Sequence, residues 1–117
     1  MNWIIEQMRA GGDKTAVIFK EKEHSYSSLV DQIEKYYAIV KEQIPTGSIV
    51  SIISDYSFES IALFFALHEN RNVVVPITTK IEQEQIDRVR VANSDYRIDI
   101  EGDELKITAT TEKQENH

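Results

Sequence analysis

The stretch ALFFALHENRNVVVPIT, residues 62–78, constrains this chain more than any other. An apolar helix pattern runs into a short polar turn. Three valines and a proline follow at once. Upstream, SIVSII at 48–53 reads as a strand by its β-branched content, and it ends at Ser54 and Asp55. Strand, helix and strand with short links make a βαβ unit, so strands 48–53 and 72–77 should run parallel. Within the helix at 58–68, Phe58, Ile61, Ala62, Phe65 and Ala66 form the expected main stripe, with Leu63, Phe64 and Leu67 at its sides. That makes the helix apolar nearly all round. Phe65 is expected to be buried, and a chain of 117 residues has trouble covering every face of such a helix. Asn70 is the expected left-handed cap. The valine run suggests an inner strand buried on both faces, ended by Pro76.

The flanking segments extend this unit. Residues 2–10 read as a short helix with Trp3, Ile4 and Met8 on one face and Ile5 near it, ended by GGD at 11–13. AVIF at 16–19 and HSY at 24–26 read as a small hairpin around a solvated KEKE turn. Ser25 can cap the next helix, whose stripe is Leu29, Val30, Ile33, Tyr37, Val40 and Ile44. Pro45 stops it. A further amphipathic helix is expected over 82–94, through Ile86 and Val89 or Arg90. YRIDI and ELKITAT alternate with period two around a turn at Gly102 and read as a C-terminal β-hairpin. The fold class is therefore α/β: a small three-layer sheet with a parallel βαβ core. Residues 1–110 form one domain on this reading, and 111–117 a disordered tail.

Composition removes several functions. The formal charge of -7 argues against nucleic acid or an anionic membrane as the main partner. With no cysteine there is no disulfide, thiolate nucleophile or zinc-thiolate site. No apolar run reaches membrane-spanning length, and the start is not a signal peptide, which makes the cytoplasm the expected location. His24, His68 and His117 are too scattered for a metal site. His24 reads as a surface residue and His68 as a helix C-terminal contact. Asp55, at the carboxyl end of a strand, is expected to make a turn or helix-start hydrogen bond. Tyr26, Tyr36 and Tyr37 read as packing residues with wet hydroxyls. No Gly-x-Gly-x-x-Gly follows a strand, and RAGGDK is too short for a phosphate loop. The residues name no catalytic, cofactor-binding or metal-binding position.

The order of segments resembles the start of the adenylate-forming ligases, which include acyl-CoA synthetases and amino-acid-activating domains. The resemblance rests on Ala16-Val17-Ile18, Ser25-Tyr26-Ser27-Ser28-Leu29, Gly47-Ser48 before Ile49-Val50, Ala66, and Val73-Val74-Val75-Pro76-Ile77. It covers roughly residues 14 to 98. Ser48 stands where such proteins usually carry Asp, and Arg71 where they often carry Gly. The resemblance implies a parent enzyme that adenylates a carboxylic acid with ATP and Mg and passes the acyl group to CoA or another thiol. It also implies that the phosphate loop, the ribose-binding acid and the catalytic Lys lie downstream of this region. The chain is then an excised amino-terminal piece with no cofactor site of its own. Its partner is the remainder of the ligase, with a homodimer through exposed apolar surface as a further possibility. The competing reading is a free-standing α/β scaffold or binding protein that acts through a hydrophobic surface.

Overall fold

The computed structural model describes residues 3–110; the expected tail at 111–117, with His117, lies outside them. The elements are α1 (Trp3–Gly11), β1 (Thr15–Phe19), β2 (Lys22–Ser25), α2 (Tyr26–Gln43), β3 (Ile49–Ile53), α3 (Phe58–Glu69), β4 (Val73–Ile77), α4 (Glu82–Val91), β5 (Tyr96–Glu101) and β6 (Glu104–Ala109). β1 and β2 form a separate antiparallel hairpin. The main sheet has the order β4-β3-β5-β6, with β3 parallel to both β4 and β5 and β6 antiparallel to β5. The expected βαβ core and C-terminal hairpin are both present. KEKE is not all turn: Lys20 and Glu21 take positive φ, while Lys22 and Glu23 already pair in β2.

The sheet has two different faces. Val50, Ile52, Val74, Tyr96 and Ile98 point to one side and join the core with α2 and α3. Ser51, Ile53, Ile77 and Arg97 point to the other, as alternation requires. There Arg97 Nη2 donates to Gln85 Oε1 of α4 at 2.9 Å, which places α4 on that side. Right-handed crossovers demand this split, since β3 to β4 and β4 to β5 step in opposite directions. The result is three layers.

Helix α2 starts at Ser25, whose Oγ accepts from the Ser28 N–H at 3.1 Å. Its buried stripe is Leu29, Val30, Ile33, Tyr36 and Val40, so Tyr36 rather than Tyr37 enters the core. In α1 the buried residue is Ile5; Trp3, expected on the buried face, is 68% exposed. Helix α3 begins with a reciprocal cap between Ser57 and Ser60. Its deep face is Phe58, Ala62, Leu63, Ala66 and Leu67. Ala62 and Ala66 let α3 sit close against its neighbours, and Leu63 and Leu67 fill the core. Ile61 and Phe65 are only half-buried, and Phe64 is 46% exposed. The full penalty of a buried aromatic therefore does not apply at Phe65.

Two strand expectations change. The inner strand is β3, covered on both faces. β4 is an edge strand, with Val73 55% exposed. Pro76 lies within it, opposite Ile52. The Val73 N–H bonds inward to the Ser48 carbonyl, so by alternation Val74 and Pro76 face outward. Pro76 has no N–H, and the open edge keeps Val74 as its single outward donor. Helix α4 buries no residue; Val91 is 85% exposed, and the apolar face expected over 82–94 stays open.

The turn from α3 to β4 differs from expectation in one residue. Asn70 is not left-handed (φ -80°); Arg71 is (φ 59°). Arg71 N–H donates to the His68 carbonyl and Asn72 N–H to the Leu67 carbonyl, which is a Schellman ending. Asn70 is buried, and its side-chain amide donates to the Ile44 carbonyl and to Asn72 Oδ1. Asn72 in turn donates to the Pro45 carbonyl. These bonds tie the end of α2 to the end of α3 and hold Arg71 in a conformation that favours glycine. We expect Arg71→Gly to raise stability by about 1 kcal/mol, measured as a shift in the urea midpoint. A loss of stability would mean that the Arg71 side chain contributes more than its backbone costs.

Candidate functional site

Open parallel sheets bind ligands where neighbouring strands send their connections to opposite faces. Here that point lies between β3 and β4. The loop after β3 enters α3 on one side, and the loop after β4 leads to α4 on the other. A crevice of about 380 Å³ opens there, within the usual size of small-molecule sites. Ile52 and Pro76 come from the strands, Ile61 and Phe64 from α3, and Ser54, Asp55, Tyr56, Ser60 and Thr78 from the rim. Asp55 and Lys80 bridge the two diverging loops with a 3.3 Å ion pair, both ends of it largely exposed.

The rim's hydrogen bonds decide what it can offer. Ser54 Oγ donates to the Asp55 carbonyl at 2.9 Å. Ser60 Oγ donates to the Ser57 carbonyl and accepts from the Ser57 N–H. Both hydroxyl protons are thus committed within the protein. What remains toward the crevice is the Asp55 carboxylate, the serine lone pairs and the Tyr56 and Thr78 hydroxyls. Such a rim accepts hydrogen bonds more than it donates them.

Other singled-out residues lie apart from this crevice or play structural parts. Asp55 does not cap α3; Ser57 does. His24 is half-buried, and its ring stacks on Phe58 at 3.9 Å, joining β2 to the start of α3. His68 is exposed in the last turn of α3. Among the described residues, no three His, Cys, Asp or Glu side chains gather as a possible metal site. Arg97 pairs with Asp99 at 2.9 Å across the α4 face. That hydrogen bond raises the Arg97 pKa against the opposing effect of burial. The crevice carries no sequence motif; the switch in crossover direction was the signal that could have found it.

The Tyr36 hydroxyl is not wet. It donates to the Asp103 carbonyl at 2.7 Å and pins α2 to the β5–β6 turn. Burial pushes its pKa up to about 12, with the Glu59 and Asp103 charges adding to the effect. A phenol whose folded pKa is raised stabilises the fold fully below its ordinary pKa near 10. That contribution is lost as pH climbs from about 10 to about 12. Urea midpoints for the parent protein and Tyr36→Phe should therefore converge across that window. Parallel curves would contradict the buried, bonded hydroxyl.

No protein-family model matches the sequence, and no curated protein matches it. Solved structures do. The N-terminal subdomain of Klebsiella oxytoca NpsA superposes with a TM-score of 0.73 at 24% identity, over 85% of this chain and 27% of that one. Klebsiella oxytoca NpsA in complex with 3-hydroxyanthranilyl-AMSN gives 0.74 at 24% identity, over 84% of this chain and 21% of that one. The inhibitor-bound N-terminal domain of FACL13 from Mycobacterium tuberculosis gives 0.70 at 19% identity, over 83% and 26%. The chain thus spans about a quarter of the length of these structures. Its α/β fold is the one found within the N-terminal subdomain of NpsA and the N-terminal domain of FACL13.

Proposed function

We propose that residues 1–110 are the non-catalytic amino-terminal subdomain of an ATP-dependent, AMP-forming carboxylic acid–CoA or acid–thiol ligase. The observation that carries this reading is the likeness over 85% of the chain to a subdomain that has itself been solved with 3-hydroxybenzoyl-AMSN bound. The order Ser25-Tyr26-Ser27-Ser28-Leu29, Gly47-Ser48 and Val73-Val74-Val75-Pro76-Ile77 supports the same family independently.

In this role the piece buttresses the acyl-substrate side of a site completed elsewhere. ATP, Mg and CoA belong to the parent enzyme. Among the described residues, no Lys or Arg lines the crevice, whose rim presents a carboxylate, two serine hydroxyls with committed protons and the Tyr56 and Thr78 hydroxyls. The remainder of the ligase is the partner that would cover the edge of β4 and the open face of α4. Without it, those apolar surfaces favour self-association. The cytoplasm is the setting this chemistry implies; no helix among the described residues is long and apolar enough to cross a membrane.

Titration of the isotope-labelled chain with Mg-ATP tests the reading. Flat amide spectra are expected. Saturable shifts at Ser54–Ser57 and Pro76–Thr79, with a dissociation constant below about 1 mM, would sink it in favour of a free-standing nucleotide-binding protein.

A further inference from the structure

We propose that the crevice between the carboxyl ends of β3 and β4 binds a small amine with an aromatic or branched apolar body. The inference is independent of the ligase reading, because it rests on side chains within this chain alone. Ile52 forms an apolar floor and is itself buried, while Ile61, Phe64 and Pro76 form the walls. An apolar body of about the size of a benzene ring fits such a space.

The rim sets the polar group. Ser54 and Ser60 have already given their protons to backbone carbonyls. The charge lining the crevice is the Asp55 carboxylate. A carboxylate or phosphate ligand would meet this charge, with the Tyr56 and Thr78 hydroxyls as the side-chain donors in the lining. An ammonium group meets an acceptor, and Tyr56 and Phe64 add aromatic faces that attract cations. Lys80 is the present counter-ion of Asp55, but its side chain is 82% exposed on a long tether. An exposed pair of that kind is worth little and is readily exchanged. The ligand ammonium takes the place of the Lys80 ammonium on Asp55, and Lys80 swings into water. No bond is made or broken.

The test compares three probes of one size on the isotope-labelled chain: 2-phenylethylammonium, 2-phenylethanol and phenylacetate. Amides lining the crevice, from Ser54 to Tyr56 and at Phe64 and Thr78, report binding. The amine should saturate with a dissociation constant on the order of millimolar, about five-fold tighter than the alcohol, with phenylacetate weakest. Asp55→Asn should remove the preference for the amine while the alcohol binds as before. Phe64→Ala should weaken the amine and the alcohol together. Asp55 and Phe64 are exposed, so neither variant threatens the fold.

Three results overturn the proposal. One is no saturable shift up to about 20 mM amine. Another is phenylacetate binding as tightly as the amine. The third is an amine preference that survives Asp55→Asn, which would assign it to the chain's overall charge of -7 rather than to this carboxylate.

Discussion

Everything else in this fold leans on the two-sided burial of β3. It is paired on both edges by parallel neighbours and covered on both faces. Val50 and Ile52 meet the layer of α2 and α3, while Ser51 and Ile53 are buried on the α4 side. Ser51 is a polar group at the centre of the sheet, and it is tolerated because its hydroxyl bonds that of Ser94. Asp95 fixes the start of the strand, where its carboxylate accepts from the Ile49 N–H at 2.8 Å. The strand thus sets the register of β4 and β5, and through them the positions of α3 and α4.

The same topology produces the crevice. Because β3 and β4 lie side by side yet send their chains to opposite faces, their carboxyl ends cannot close over one another. The opening is a consequence of strand order, and side chains only decide its chemistry. Pro76 serves two ends at once. It contributes an apolar wall to the crevice and strips a donor from the open edge of β4, which discourages pairing with another strand. The asparagine bracket at the opposite end of the βαβ unit has a complementary effect. By joining Ile44, Pro45 and Asn72 it fixes where α3 ends and β4 begins. It also leaves Arg71 to carry the left-handed turn.

The element order and the βαβ core were legible in the sequence because period, caps and turn residues agreed. The orientation of α3 was not. Eight of its twelve residues, FESIALFFALHE, are apolar, so the pattern has too little contrast to point to one face. Ala62 and Ala66 were the better guide, since small residues mark close approach of neighbouring elements. Adjacent Tyr36 and Tyr37 lie only about 100° apart on a helix, so the stripe alone could not separate them. β-branched content could not distinguish β4 from β3, although Pro76 inside the strand pointed to an edge. The crevice had no motif to find. Its residues come from two strands, the loops that follow them and a helix, and only the crossover geometry brings them together.

Native-state hydrogen exchange tests the central role of β3 most directly. The account predicts that the Val50 to Ile53 amides exchange slowest, opening only with global unfolding, while α4 amides open locally at much lower cost. Exchange from β3 as fast as from α4 would contradict it, since the strand could then open without the rest of the fold.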